Sequence, residues 1–434
     1  VRRRRTGYIL IEALIAVAGL LALLAILASD QQTRIDLIQS GLRQTRAEAC
    51  ADGAVQQALS VLATANPDLV TLNDTWAQLG GTSGVATSST SGTTSSGGTE
   101  EFSFPDGSTF REQIIDADSL INLNNATATQ MEQLPLDQDQ VDCFLDWIQA
   151  GETPRSDGAK DDFYNALPTP YNAKLGPLTT VSELCLIDNW TAQTLYQPPT
   201  DSTVLPLSTD ISGNILPLAA LFTVDSGAPN VTSTGTALIN LSNRPTAANA
   251  VTLIRAGVSP GIVARLMSTA PGNPPINSWM ALLSLPGVNS SQEQILLNNV
   301  TFTSATRLTG TINLNTASLP VLESIPLVTQ SIAEAIVGQQ STTFSGLGSL
   351  AAIAGLSRAD LATLASTFCV GSDTWIVRAY GQSGGVGSAE EAVVGYRNNQ
   401  LQIISINRIH TPGIPSWWGW DTTTTSTQQA GVTQ

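Results

Sequence analysis

From Tyr8 to Ala28 the chain is apolar except at Glu12, and Arg2, Arg3, Arg4 and Arg5 stand directly before this run. At a helical rise of 1.5 Å, about 21 such residues span roughly 31 Å, close to the thickness of a bilayer core. The run is therefore expected to cross the membrane once, at 8–28. The arginines fix its N-terminal end on the cytoplasmic side, so the rest of the chain is expected outside the cytoplasm, anchored in the inner membrane with its bulk in the periplasm.

A secretory signal peptide places its small cleavage residue after the apolar core, whereas here Gly7 precedes that core. The stretch Thr6-Gly7-Tyr8-Ile9-Leu10-Ile11-Glu12 resembles the type III signal of type IV pilins and pseudopilins. The resemblance implies that 1–7 is a leader removed by prepilin peptidase, which cuts after Gly7 and methylates Tyr8. Glu12 then becomes the fifth residue of the mature chain. A carboxylate in hydrocarbon costs about 2.5–3.5 kcal/mol. The family's answer is pairing with the N-terminal amine of a neighbouring subunit, which makes Glu12 an assembly residue. The alternative is an ordinary signal anchor whose Glu12 snorkels to the cytoplasmic face.

Past the membrane, Ile35, Ile38, Leu42, Ala49, Leu59 and Leu62 recur at helical spacing among polar residues, which predicts one continuous helix over 8–65 with an amphipathic second half. Residues 80–98 are almost wholly Gly, Ser and Thr and predict a flexible loop. A hairpin is expected around Pro105-Asp106-Gly107, between alternating Phe102 and Phe104 and the returning stretch Phe110 to Ile115. Three further strands are read at Thr374 to Tyr380, Ala392 to Arg397 and Leu401 to Ile409. The expected class is α+β, a pilin-like fold with a long N-terminal helix packed on an antiparallel sheet. Its sheet is split into 66–115 and 374–410 by a mostly helical insertion over 116–373, and 411–434 forms a tail.

The insertion repeats itself. Ile121-Asn122-Leu123-Asn124 returns as Ile239-Asn240-Leu241-Ser242 and as Ile312-Asn313-Leu314-Asn315. A second phrase accompanies it, starting at Leu178, Trp279 and Phe344. The third unit, from Ile312 through Val321-Leu322 to Ile325-Pro326, resembles the helix-hairpin-helix-like (SAM-like) module of the K minor pseudopilins of type II secretion. An Asp-rich approach at Asp116 to Asp118 matches the same family. So, in order, do Leu145-Asp146-Trp147-Ile148, Glu152-Thr153-Pro154-Arg155, Gly158, Asp161-Asp162-Phe163-Tyr164, Pro170-Tyr171-Asn172-Ala173 and Val181-Ser182-Glu183-Leu184. The match covers about 6–65, 102–192 and 312–409 and leaves about 195–300 as an extra module.

The resemblance implies a non-enzymatic subunit that joins I- and J-type minor pseudopilins to initiate and cap the pseudopilus tip. Its further partners would be the other pseudopilins of the filament, prepilin peptidase and the inner-membrane assembly platform. A head enlarged by about 250 residues is too bulky to repeat along a filament. Glu12 departs from the K family, which usually lacks an acidic fifth residue. The alternative function is a minor subunit of a type IV pilus or of a competence system for DNA uptake.

Other chemistry finds little support. The net charge of −16 opposes a phosphate backbone, so no nucleic acid is expected as a partner. K-family members include calcium binders, and Asp137, Asp139, Asp142 and Asp146, or Asp157, Asp161 and Asp162, are candidate oxygen ligands without EF-hand spacing. The competing reading is acids at helix N-termini and a solvated face. Cys50, Cys143, Cys185 and Cys369 lie at no metal-ligand spacing. They allow up to two disulfides in three connectivities, Cys143 with Cys185 being one possible pair, or serve as small buried apolar residues. His410 is the single histidine, and no nucleophile-elbow pattern accompanies it or Cys369. Trp417, Trp418 and Trp420 would cover either a partner or the body's own surface.

Overall fold

A helix, α1 (Thr6–Leu62), runs without a break from the apolar segment into the polar one. It contains no proline, the residue that most often ends a helix. The computed structural model describes residues 6–79, 101–199, 215–270, 274–411 and 413–420. Arg2 to Arg5, the Gly/Ser/Thr stretch 80–98 and the tail beyond Trp420 lie outside the described residues.

Five strands form one antiparallel sheet: β1 (Glu101–Ser103), β2 (Thr109–Asp116), β3 (Thr374–Ser383), β4 (Val386–Arg397) and β5 (Gln400–Ile409), in that spatial order. The turns use the residues that tolerate positive φ. Gly107 (φ 78°) closes β1–β2, Gly384 and Gly385 (54° and 82°) close β3–β4, and Asn398 and Asn399 (53° and 60°) close β4–β5. The α+β class and the helix-on-sheet packing expected from the sequence are thus present.

The stem meets the sheet through small residues. Ala47, Ala51, Ala54, Val55, Ala58 and Leu62 form its buried stripe, and all but Ala47 share a core with Phe110, Ile114, Trp375, Val377, Ala379, Ala392 and Val394. Gly381 lies so close that a Cβ there would overlap the carbonyl of Ala47 and stand 2.7 Å from the nitrogen of Ala51. Ile35, Ile38, Leu42 and Ala49, expected on the packed face, are exposed instead. The physical reason for the first three is reach: the β3–β4 turn extends along the stem only as far as Arg43, whose side chain sits at Gly384. Ala49 points away from the stripe.

The opposite face of the sheet is covered by the chain's own tail. Trp418 and Trp420 pack on Tyr380 and Ala389. The indole of Trp420 donates to Gln113 Oε1 at 2.9 Å and lies under the guanidinium of Arg111, while the rings of Trp417 and Tyr196 pack tilted, 4.4 Å between centroids.

β2 and β3 pair along their length, from Thr109 opposite Gln382 to Asp116 opposite Trp375, although roughly 250 residues separate them in the chain. That excursion holds three modules, each opened by one repeat of the Ile-Asn-Leu phrase and closed by a parallel partner. Ile121–Asn122 pairs with Phe222–Thr223, Ile239–Asn240 with Val300–Thr301, and Ile312–Asn313 with Phe368–Cys369. Between these strands lie short helix pairs such as Ala247–Arg255 with Pro260–Met267 and Leu319–Glu323 with Gln330–Gln340. A residue with positive φ turns each pair of the middle and third modules. Gly257, Gly287 and Gly355 do so as glycines usually do, whereas Leu327 adopts φ 77° in the third module. The first and third modules share one core, and the middle module has its own. The middle module is also flanked by an antiparallel pair, Gly227–Pro229 with Arg307–Thr309.

Candidate functional site

Two regions carry the residues singled out by sequence: the free half of the stem and the head that the insertion builds. Gly7 and Tyr8 lie in the first turn of α1. Glu12 follows among exposed Leu10, Ile11, Leu14 and Ile15. Among the described residues this is the one helix long and apolar enough to cross a membrane, with a mean hydropathy of 2.7 and no part of that window buried.

In the first module the helix Gln138–Ile148 places the candidate acids. Asp137 caps it, its N–H donating to Gln140 Oε1 at 3.0 Å, and Asp139 Oδ1 accepts from Gln140 N at 2.9 Å. Asp146, buried, accepts from the Arg155 backbone N–H at 2.9 Å and from its guanidinium at 2.8 Å. Asp142 accepts from Gln138 Nε2 and from Asp157 N. Asp161 Oδ1 accepts from Ala173 N at 2.7 Å, and Asp157 and Asp162 are exposed. Gly158 makes the Asp146 arrangement possible, because a Cβ there would overlap the carboxylate. Donors already engage the carboxylates of Asp139, Asp142, Asp146 and Asp161, and among the described residues no three His, Cys, Asp or Glu groups are placed together as a metal site.

The motif residues of this segment instead form one structural cluster. Trp147 Nε1 donates to Glu183 Oε1 at 3.1 Å, and Lys174 pairs with the other Glu183 oxygen at 2.7 Å. The rings of Trp147, Tyr164 and Tyr171 pack against one another, and Tyr171 donates to Leu186 O at 2.8 Å. Lys160 Nζ donates to the carbonyls of Asp146 and Gln149, the last-turn groups that the helix cannot satisfy itself.

All four cysteines are free thiols, so the Cys143–Cys185 bridge is not formed. Cys143 donates to Asp157 O at 3.4 Å, and burial pushes its thiol up to about 11. Cys369 is buried with its thiol on Gly371 O, whereas His410 is exposed at the end of β5.

A second cluster, which sequence reading met only as an Asp-rich approach, joins sheet to head. Asp116 at the end of β2 accepts from Asn313 Nδ2 at 2.8 Å and Thr316 Oγ1 at 2.6 Å. Asp118 accepts from Gly227 N at 3.0 Å and Ser372 Oγ at 2.9 Å. Burial pushes both carboxyls up, Asp118 well above the usual range because the charge of Asp116 adds to its own desolvation. Beside them Arg307 bridges Asp373 at 2.7 Å and Asp225 at 3.2 Å, and Arg397 reaches Asp225 at 2.8 Å. The junction is thus held by groups from the sheet, from the boundaries of the first and third modules and from the strand pair flanking the middle module.

No curated protein matches the chain. One chain of a crystal structure described as the GspK-GspI-GspJ complex from the enterotoxigenic Escherichia coli Type 2 Secretion System is similar at 12% identity and a TM-score of 0.40, over 88% of this chain and 100% of that one. Residues 119–198, which hold the capped helix, the Asp146–Arg155 pair and the Trp147 cluster, match the family described as "Type II secretion system (T2SS), protein K". This chain carries a type II secretion system protein K domain.

Proposed function

We propose that the chain is a minor pseudopilin of a type II secretion system, anchored by α1 in the inner membrane with its head in the periplasm. In this reading prepilin peptidase removes 1–7 and methylates Tyr8, and Glu12 pairs with the amine of a neighbouring stem. The stem then joins I- and J-type subunits, other pseudopilins and the inner-membrane platform, and the head caps the filament that helps push folded substrates outward. The role is mechanical and asks for no catalysis.

The observation that carries the reading is the coexistence of a protein K domain with an exposed apolar stem docked on a sheet whose adjacent strands β2 and β3 are separated by roughly 250 residues of head. A body that wide supports a terminal position, because its bulk obstructs stacking of a further copy on the same stem spacing. Deleting the chain in a strain that relies on one type II system should abolish export of its substrates, and re-expression should restore it. Unaffected export would overturn the proposal. Mass analysis of the membrane-purified chain checks the processing step separately, with loss of 1–7 and one added methyl expected.

A further inference from the structure

Strand register sets four residues side by side beneath the stem: Glu112 on β2, Ala379 on β3, Glu390 on β4 and Arg408 on β5. Alternation along the strands turns this row toward α1. Phe110 and Ile114, two positions to either side of Glu112, and Ala392, two beyond Glu390, pack with Ala379 in the core that the stem completes. Both glutamates are wholly buried, and none of their four carboxylate oxygens has a hydrogen-bond partner. An ionised carboxylate in such a place is costly, because water is excluded and no hydrogen bond replaces it.

The charged neighbours relieve that cost only in part, and only for Glu390. From the stem, Glu48 and Asp52 face the row at its β5 end, 3.9 and 3.7 Å from Arg408. Arg408 also stands 3.7 Å from Glu390, so one half-exposed cation is shared among three acids. Arg43 and Arg46, earlier on the stem, are directed to Gly384 and Asp106. Nothing charged perturbs Glu112, whose carboxyl burial alone pushes up to about 8. Glu390 is pushed up to about 7, by burial first and then by the charge of Asp52.

We propose that protonation of Glu112 and Glu390 controls docking of the stem on the sheet: with both carboxyl groups neutral α1 lies flat on the strands, and their ionisation loosens 47–62. Each proton is held more tightly in the docked state than in an open one, where the ordinary glutamate value of 4.5 applies. Docking is therefore strongest below about pH 4.5 and weakens as pH rises, through about 7 for Glu390 and about 8 for Glu112. The head would swing on its stem in response to the proton concentration of the compartment that holds it.

Cys50 supplies a built-in probe. It is 7% exposed, and its Cβ lies 2.9 Å from the point where a Cβ on Gly381 would stand, so it becomes reactive only when stem and sheet part. The experiment is peptide-resolved alkylation of Cys50 in the full chain in detergent, comparing wild type with the double variant Glu112→Gln, Glu390→Gln. Taking the ratio of the two rates at each pH cancels the ionisation of the thiol itself. The ratio is expected to rise at least tenfold between about pH 5.5 and about pH 8.5. A flat ratio overturns the proposal. Should the double variant fail to fold, a carbon-13 carboxyl titration of the wild type decides: both glutamates titrating above about 6.5 upholds it, and either titrating near the ordinary value overturns it.

Discussion

Asn315 holds the backbone of Phe344 at both of its polar atoms: Phe344 N donates to Asn315 Oδ1 at 2.7 Å, and Asn315 Nδ2 donates to Phe344 O at 3.1 Å. Asn124 treats Leu178 the same way, at 2.6 and 3.0 Å. In both modules the fourth residue of one repeated phrase grips the first residue of the other. The middle module has Ser242 in the gripping position.

Replacing Asn315 by Ala would strand a buried N–H and a buried C=O at once. We expect a loss of about 2–4 kcal/mol, read as faster hydrogen exchange at Phe344 and an earlier denaturant transition. Ser242→Ala should cost less than about 0.5 kcal/mol, as surface changes usually do.

Gly381→Ala tests the close approach of stem and sheet. A methyl group there meets the Ala47 carbonyl, so either the helix or β3 must move. The expected loss is about 2–3 kcal/mol, with a lower melting temperature and faster alkylation of Cys50 at every pH. An unchanged melt would mean that the stem yields without cost.

Arg307 contacts Asp373, Asp225 and Thr374 at the head junction. Arg307→Ala leaves the buried Asp373 and the half-buried Asp225 with Arg397 as their remaining cation, and a cost of about 2–3 kcal/mol is expected, below that of a fully buried pair because the site is partly wet. Arg307→Lys should recover less than half, since one ammonium cannot span both acids and the hydroxyl. Thermal unfolding of the three proteins side by side provides the check.

Glu12→Leu addresses the stem. If Glu12 pairs with a neighbouring amine, the variant should insert in the membrane normally yet co-purify with partner pseudopilins at least tenfold less, in line with the roughly 2.5–3.5 kcal/mol that an unpaired intramembrane carboxylate costs. Normal co-purification would return Glu12 to a snorkelling role at the membrane face.

Features with a period or a turn signature could be read from the sequence. The stem, the hairpin at Pro105-Asp106-Gly107, the three last strands and the threefold Ile-Asn-Leu phrase all had one. The closing strands Phe222–Thr223, Val300–Thr301 and Phe368–Cys369 had none, because two residues are too few to alternate. The docked stripe was hidden for a different reason: alanines carry little hydropathy, so Ile35, Ile38 and Leu42 dominate the periodicity although the sheet never reaches them. The surroundings of the acids were the least legible part. Asp146, one of the candidate oxygen ligands, is paired with Arg155, and Glu112 and Asp118 are buried although nothing in the flanking sequence marks them so. Charge alone does not say what lies above a residue; only the fold supplies that.

The antiparallel pairing of β2 with β3, and of Gly227–Pro229 with Arg307–Thr309, amounts to one insertion nested within another. In each case the guest leaves its host and returns to it at neighbouring positions. A guest tethered that way can be enlarged, trimmed or exchanged while the strands that carry it stay where they are, so the size of the head is free to vary independently of how the stem fits its neighbours.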